Sequence, residues 1–246
     1  MSGWALVTGG AKRLGRASAL ALAETGYDIV VHYNGSRSDA DAACREIEAL
    51  GRSAVAVQAD LSDDDAAAGL VDAAGKPLRA LVNCAAIFEH DALESFSRAA
   101  LDRHIAINAS APIRLIQAFA RALPDDARGV VVNFLDFKLA SPYPDHLSYT
   151  LSKYALMGAT DVLARALAPR IRVNAVAPGY TLPSPGQAQA DFDRLHAQTP
   201  LQYGATPEDV GRAVAYLAMS PAVTGQTIYV DSGLRLTSHD TDFAFR

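Results

Sequence analysis

The chain has 246 residues, 50% of them hydrophobic, with 17 glycines, 12 prolines and a formal charge of −5. Length and apolar content predict one large α/β domain over residues 1–246, since two small domains would each need a core of their own. The acidic balance and the scatter of Lys and Arg exclude a basic field for polyanions, so no nucleic-acid partner is expected.

In chain order, the first apolar run, 4–9, leads into Thr8-Gly9-Gly10 and then Gly15 at the head of a helical segment, 15–25. A strand, a glycine-rich turn and a helix N-terminus make an anion site, because unpaired N–H groups and the helix dipole converge there. The second strand, 27–33, ends in HYNGSR (32–37), where an acid would hold the ribose of NAD. Asn34, Ser36 and Arg37 suit a 2′-phosphate instead, which predicts NADPH. The bland reading makes Arg37 a solvated charge and Asp39 a helix cap.

Strands follow at 53–60, 80–86, 129–136, 171–179 and 227–233, with helices at 40–50, 63–74, 100–123, 148–168 and 207–219. This alternation predicts an α/β fold of Rossmann type, a doubly wound parallel seven-stranded sheet with helices on both faces. Asn108, midway along 100–123, is a poor helix former at an interior position. Asp136 closes the fifth strand, Asn83 lies near the end of the fourth, and Pro178-Gly179 end the sixth, all at the carboxyl edge where open α/β sheets bind ligands. Tyr149 and Lys153 share one helix face, and an ammonium beside a phenol lowers its pKa towards a range useful for proton transfer.

Residues 181–205, with three prolines and weak periodicity, read as a lid or substrate loop. The tail, 237–246, reads as frayed or docked on a neighbouring subunit. Cys44 and Cys84 share no metal-ligand spacing with the six histidines, so no metal is expected and both predict reduced thiols of a cytoplasmic protein. No export signal is apparent and no apolar run reaches ~18 residues, so no membrane span is expected.

Together TGGAKRLG (8–15), DL (60–61), NCAA (83–86), Asn108, YTLSK (149–153), PG (178–179) and VDSG (230–233) resemble the short-chain dehydrogenase/reductase family over essentially the whole chain. The resemblance implies that Tyr149 is the proton donor, that Lys153 holds the nicotinamide ribose and that Asn108 supports a water relay to Lys153. It implies that Asp60 and Leu61 meet the adenine and that Pro178-Gly179 face the nicotinamide. Gly9, Lys12, Arg13, Leu14, Asn83 and Ala85 complete the implied cofactor set. A homotetramer built through the 100–123 and 148–168 helices and the last strand is implied as well.

Two positions depart from the family pattern: Arg13 replaces the second glycine of TGxxxGxG, and Asp136 replaces the catalytic serine. A serine donates to a carbonyl oxygen as negative charge grows on it, whereas a carboxylate only accepts. A substrate presenting N–H donors to Asp136 and acceptors to Arg13 fits better, and a pterin ring has both edges. Phe88 is placed to stack a flat ring. The same features resemble the pteridine and dihydromonapterin reductases, which implies reduction of a dihydropterin to the tetrahydro form. Ala86 differs from the trypanosomatid enzymes, which carry a serine there. The alternatives are a carbonyl or 3-oxoacyl reductase of the same fold, and a non-catalytic NADP(H)-binding regulator. Under bland readings Arg13 serves the cofactor phosphates alone, Asp136 is a structural partner of Lys138, and Phe88 is ordinary wall.

Overall fold

The computed structural model describes residues 3–183 and 187–237. Seven strands form one parallel sheet in the order β3-β2-β1-β4-β5-β6-β7. They are β1 (Gly3–Thr8), β2 (Tyr27–Tyr33), β3 (Ala54–Gln58), β4 (Leu78–Asn83), β5 (Gly129–Phe134), β6 (Ile171–Pro178) and β7 (Thr227–Val230). The order reverses between β1 and β4, which opens a crevice at their carboxyl ends.

Each strand feeds both faces because successive side chains alternate. Ala5 and Val7 of β1 join one core with Val130 and Val132 of β5, against α1 (Arg13–Glu24), α2 (Arg37–Ala49) and α8 (Pro207–Met219). Leu6 and Val131 join the other, against α3 (Asp64–Ala74) and α5 (Ala111–Ala122). The near-continuous Val/Leu/Ala runs follow from this two-sided burial.

The predicted strand and helix alternation is present, with two corrections. The 100–123 segment is not one regular helix: α4 (Arg98–Ile105) passes through a π-helical turn (Ala106–Ser110) into α5. Asn108 sits in that widened turn with its side chain fully buried. The 181–205 loop contains a helix, α7 (Gln189–His196), whose Phe192 and Leu195 are buried. Leu195 packs with Phe137, Tyr143 and Leu234, which ties α7 to the carboxyl-edge aromatic cluster. Two apolar residues on an otherwise charged turn, between prolines, gave too short a period to read as a helix. The last helix of the site, α6 (Leu147–Ala166), carries Tyr149 and Lys153. The tail from 238 onward lies outside the described residues. Among those residues no helix is long and apolar enough to cross a membrane.

Candidate active site

The turn after β1 is built by close backbone approach. A Cβ on Gly15 would stand 2.1 Å from the Gly9 carbonyl oxygen, and one on Gly9 would stand 3.2 Å from Ala85 Cα. Thr8 fixes that approach, since its Oγ1 accepts from the amides of Cys84 (2.9 Å) and Ala85 (3.1 Å). From below, buried His32 accepts at Nδ1 from the Gly9 amide (3.1 Å), so its proton is on Nε2, which donates to the Ala59 carbonyl (3.1 Å). Burial holds this imidazole below its usual range, hence neutral. One histidine thereby ties the phosphate turn to the end of β3. The sequence signals this role only through a polar ring within the apolar run Ile29–Val31 and Tyr33.

Lys12 is the N-cap of α1 and gives it no side-chain cap, so the amides of the first turn face the crevice. Arg13 has φ of 51°, the left-handed conformation that glycine adopts freely and that costs another residue about 1 kcal/mol. Its Nη2 donates to the Pro183 carbonyl (3.1 Å), joining the nucleotide turn to the start of the substrate loop.

A cavity of about 390 Å³ opens beside this turn. Of the predicted residues it brings together Gly9, Lys12, Arg13, Leu14, Ala85, Phe88, Asp136, Tyr149, Lys153, Pro178 and Gly179. Asn34, Ser36 and Arg37 lie beyond its wall at the end of β2, and Asp60 with Leu61 at the end of β3. Arg37 bonds Asp41 (2.9 Å) and the Tyr33 hydroxyl (3.3 Å), while Lys12 pairs with Asp39 at 2.8 Å. The helix cap of α2 is Ser36, not Asp39, and its hydroxyl makes no capping bond. Asp60 is held ionised by the Ser62 amide and hydroxyl, which lower its pKa, and borders a recess with Ala59 and Asp63.

Asn83 is not brought to the cavity: its side chain turns into the sheet and donates to Asn133 (2.9 Å). Asn108 also stands behind the wall. Its amide donates to the Ile87 carbonyl and to Ser152 Oγ, both at 3.0 Å, and its oxygen accepts from the Ile87 amide at 2.9 Å. With both amide hydrogens donated, the side chain clamps α6 to the segment after β4.

At the centre, Tyr149 Oη donates to Asp136 Oδ2 at 2.8 Å, and Asp136 Oδ1 accepts from the Lys138 amide at 2.9 Å. The Lys138 ammonium does not pair with Asp136. It bonds Asp145 Oδ1 at 3.1 Å and lies 3.8 Å from the centre of the Tyr143 ring. Lys153 Nζ donates to the Phe134 carbonyl (2.7 Å), placing its charge 5.6 Å from the Tyr149 ring centre. Burial raises the Asp136 carboxyl above its usual range and lowers Lys153 to about 8. Burial also pushes the Cys84 thiol up to about 12, so it stays neutral.

These directions fix a pH profile. As pH falls Asp136 takes a proton early, above the ordinary carboxylate range, and loses the charge that makes it a strong acceptor for the Tyr149 hydroxyl. As pH rises Lys153 loses its charge near 8. The expected kcat/KM is a bell with its acid limb displaced upward and its alkaline limb near 8; a profile flat through the neutral range would show that neither charge matters.

Phe88, 44% exposed, stacks on His146 (centroids 4.0 Å, 12° between planes) and meets Tyr149 edge-on at 4.7 Å. His146 heads α6 at φ of 52° and its Nδ1 donates to the Glu89 carbonyl, 3.0 Å away, a positioning role that the sequence did not suggest.

A phosphate-type turn at the switch point of a parallel sheet, facing an Asp/Tyr/Lys group that lines the cavity, defines an oxidoreductase of the nucleotide-binding α/β class. The chain belongs to the short-chain dehydrogenase/reductase family: a family model described as enoyl-(acyl carrier protein) reductase matches residues 9–235. An uncharacterized oxidoreductase of Methylorubrum extorquens is 37% identical over 94% of this chain and 97% of its own length. A 3-oxoacyl-[acyl-carrier-protein] reductase FabG of Staphylococcus epidermidis is 33% identical over 94% of this chain and 98% of its own. Among solved structures, FolM alternative dihydrofolate reductase 1 from Brucella canis, complexed with NADP, superimposes with a TM-score of 0.89 at 42% identity, covering 95% of this chain and 94% of that one.

Proposed function

We propose that this protein is an NADPH-dependent dihydropterin reductase. The observation that carries the reading is Asp136, a half-buried acceptor bonded to Tyr149 where carbonyl reduction calls for a donor. The FolM structure, with its bound NADP, supports both the cofactor and the substrate class. The residues here fit the cofactor. Gly9 and Gly15 leave a cradle that a Cβ would fill, α1 offers uncapped amides, and Ser36 and Arg37 replace the acid of an NAD site.

When bound, NADPH supplies the hydride, delivered to a ring carbon of the dihydropterin. Tyr149 gives its proton to the adjacent ring nitrogen. The Lys153 cation stabilises the phenolate left behind, and Asp136 accepts from the N–H edge of the ring. Arg13 reaches the acceptor edge, and Phe88 covers the ring face. In this reading Tyr149 exchanges its Asp136 partner for the substrate nitrogen at the moment of transfer.

The second reading, a 3-oxoacyl reductase, is favoured by the FabG relative. One assay separates them: NADPH oxidation followed by absorbance with dihydrobiopterin or dihydromonapterin, alongside a 3-oxoacyl thioester and NADH controls. Turnover confined to pterin and NADPH is expected. Turnover on the thioester alone would overturn the proposal and leave Arg13 a phosphate contact.

Arg13→Gly gives a further expected result. Glycine relieves the left-handed strain, offset in part by its greater freedom in the unfolded chain, so thermal stability should not fall. The loss of a charge-assisted hydrogen bond should raise KM for dihydropterin about tenfold or more. An unchanged KM would remove Arg13 from the substrate.

A further inference from the structure

The amino-terminal edge of the sheet, away from the active site, holds a second cavity of about 510 Å³. It opens between Tyr27 at the start of β2, Gly129 at the start of β5 and Pro221 beyond α8. Arg79, Arg128, Arg170 and Arg172 line it, and among the described residues no carboxylate does.

Three of these guanidinium groups are fixed by main-chain carbonyls. Arg172 donates to Leu217 (2.7 Å), Ala218 (2.8 Å) and Val223 (3.0 Å), Arg170 to Leu123 (2.8 Å), and Arg128 to Pro169. Carbonyl anchors hold the forks in place without neutralising them. The nearest carboxylate partner, Asp125, reaches Arg170 only at 3.6 Å from a fully exposed position.

Arg79 makes no ion pair among the described residues, and its Nη1 is buried without an acceptor. Arg170 Nε is likewise buried and unpartnered. Buried charged donors without acceptors are costly and uncommon, and here two of them belong to side chains lining one cleft. Both side chains also border the cleft, so an anionic, acceptor-rich ligand there would offset the positive charge that these donors leave unneutralised.

We propose that this cleft binds a small organic polyanion, through a phosphoryl or polycarboxylate group held by Arg79 and Arg170. Tyr27, Val130 and Pro169 offer an apolar wall to the rest of the molecule, and the volume is that of a small-molecule site. β5, six residues long, separates this cleft from Asp136 by roughly 20 Å, so the two sites are distinct.

The test is calorimetric titration of the NADPH-saturated protein, which keeps the cofactor's phosphate subsites filled, with pyrophosphate and separately with citrate. Arg79→Gln and Arg170→Gln are titrated beside the parent, so that a folding defect in the first leaves the second informative. Binding of either probe that weakens at least about tenfold in each folded variant is expected, the loss for one charge-assisted hydrogen bond. The better probe then tells whether the natural group is phosphoryl or polycarboxylate. No binding of either probe to the parent, or parent affinity in the folded variants, would overturn the proposal.

Discussion

Tyr149→Phe should lower kcat for dihydropterin by about 10³-fold, within the range that a positioned general acid contributes, while NADPH affinity stays within about twofold. The phenyl ring keeps its edge contact with Phe88 and its place near Lys153, so the cradle for the cofactor is undisturbed. What goes is the hydroxyl proton now donated to Asp136 at 2.8 Å. Asp136 then faces the cavity with one oxygen lacking its donor, so its carboxyl should rise further and the remaining activity should lose its acid limb at higher pH than the parent's. NADPH affinity read by fluorescence separates the cases. Turnover equal to the parent's would remove Tyr149 as proton donor, and a loss of NADPH binding in proportion to turnover would make it a cofactor ligand.

Much of this geometry was legible because the physical constraints behind it are short in range. A strand buried on both faces must be an apolar run, so seven runs at regular intervals announce a parallel sheet, and TGGAKRLG announces its phosphate turn through glycines that the close approach of Gly9 to Ala85 requires. Tyr149 and Lys153 are readable because one helix turn puts them on one face. What was not legible depends on partners distant in sequence. Nothing local says that His32 reaches from β2 to Gly9 and Ala59, or that Lys138 turns to Asp145 instead of Asp136. The π turn at Asn108 is a second case. A lone asparagine inside a helical pattern reads as a weak surface residue until its amide is seen to hold Ile87 and Ser152. The four arginines of the amino-terminal cleft come from β4, from the loop before β5 and from both sides of the start of β6, so only the sheet order brings them together.

Asp136→Ser restores the residue expected for carbonyl reduction, and its effect should run in opposite directions on the two substrate classes. The serine hydroxyl donates where the carboxylate accepted, so the N–H edge of a pterin loses its acceptor and kcat/KM for dihydropterin should fall about 10²-fold. A growing negative charge on a carbonyl oxygen, which Asp136 would repel, gains a donor instead, and turnover of a 3-oxoacyl thioester should rise or appear for the first time. The surroundings of the site should respond as well. The introduced hydroxymethyl group is shorter than the carboxylate and neutral, so Tyr149 loses a charged partner, and Lys153, whose pKa the carboxylate raises, should titrate below its present value of about 8. The alkaline limb of the activity profile should therefore move to lower pH in the variant. The Lys138–Asp145 pair does not involve Asp136, so the aromatic wall at Tyr143 should keep its place and the change in specificity should not reflect a collapsed pocket. If the variant matches the parent on dihydropterin, the acceptor at this position is not what selects the pterin, and the selection must rest on Arg13 and the substrate loop instead.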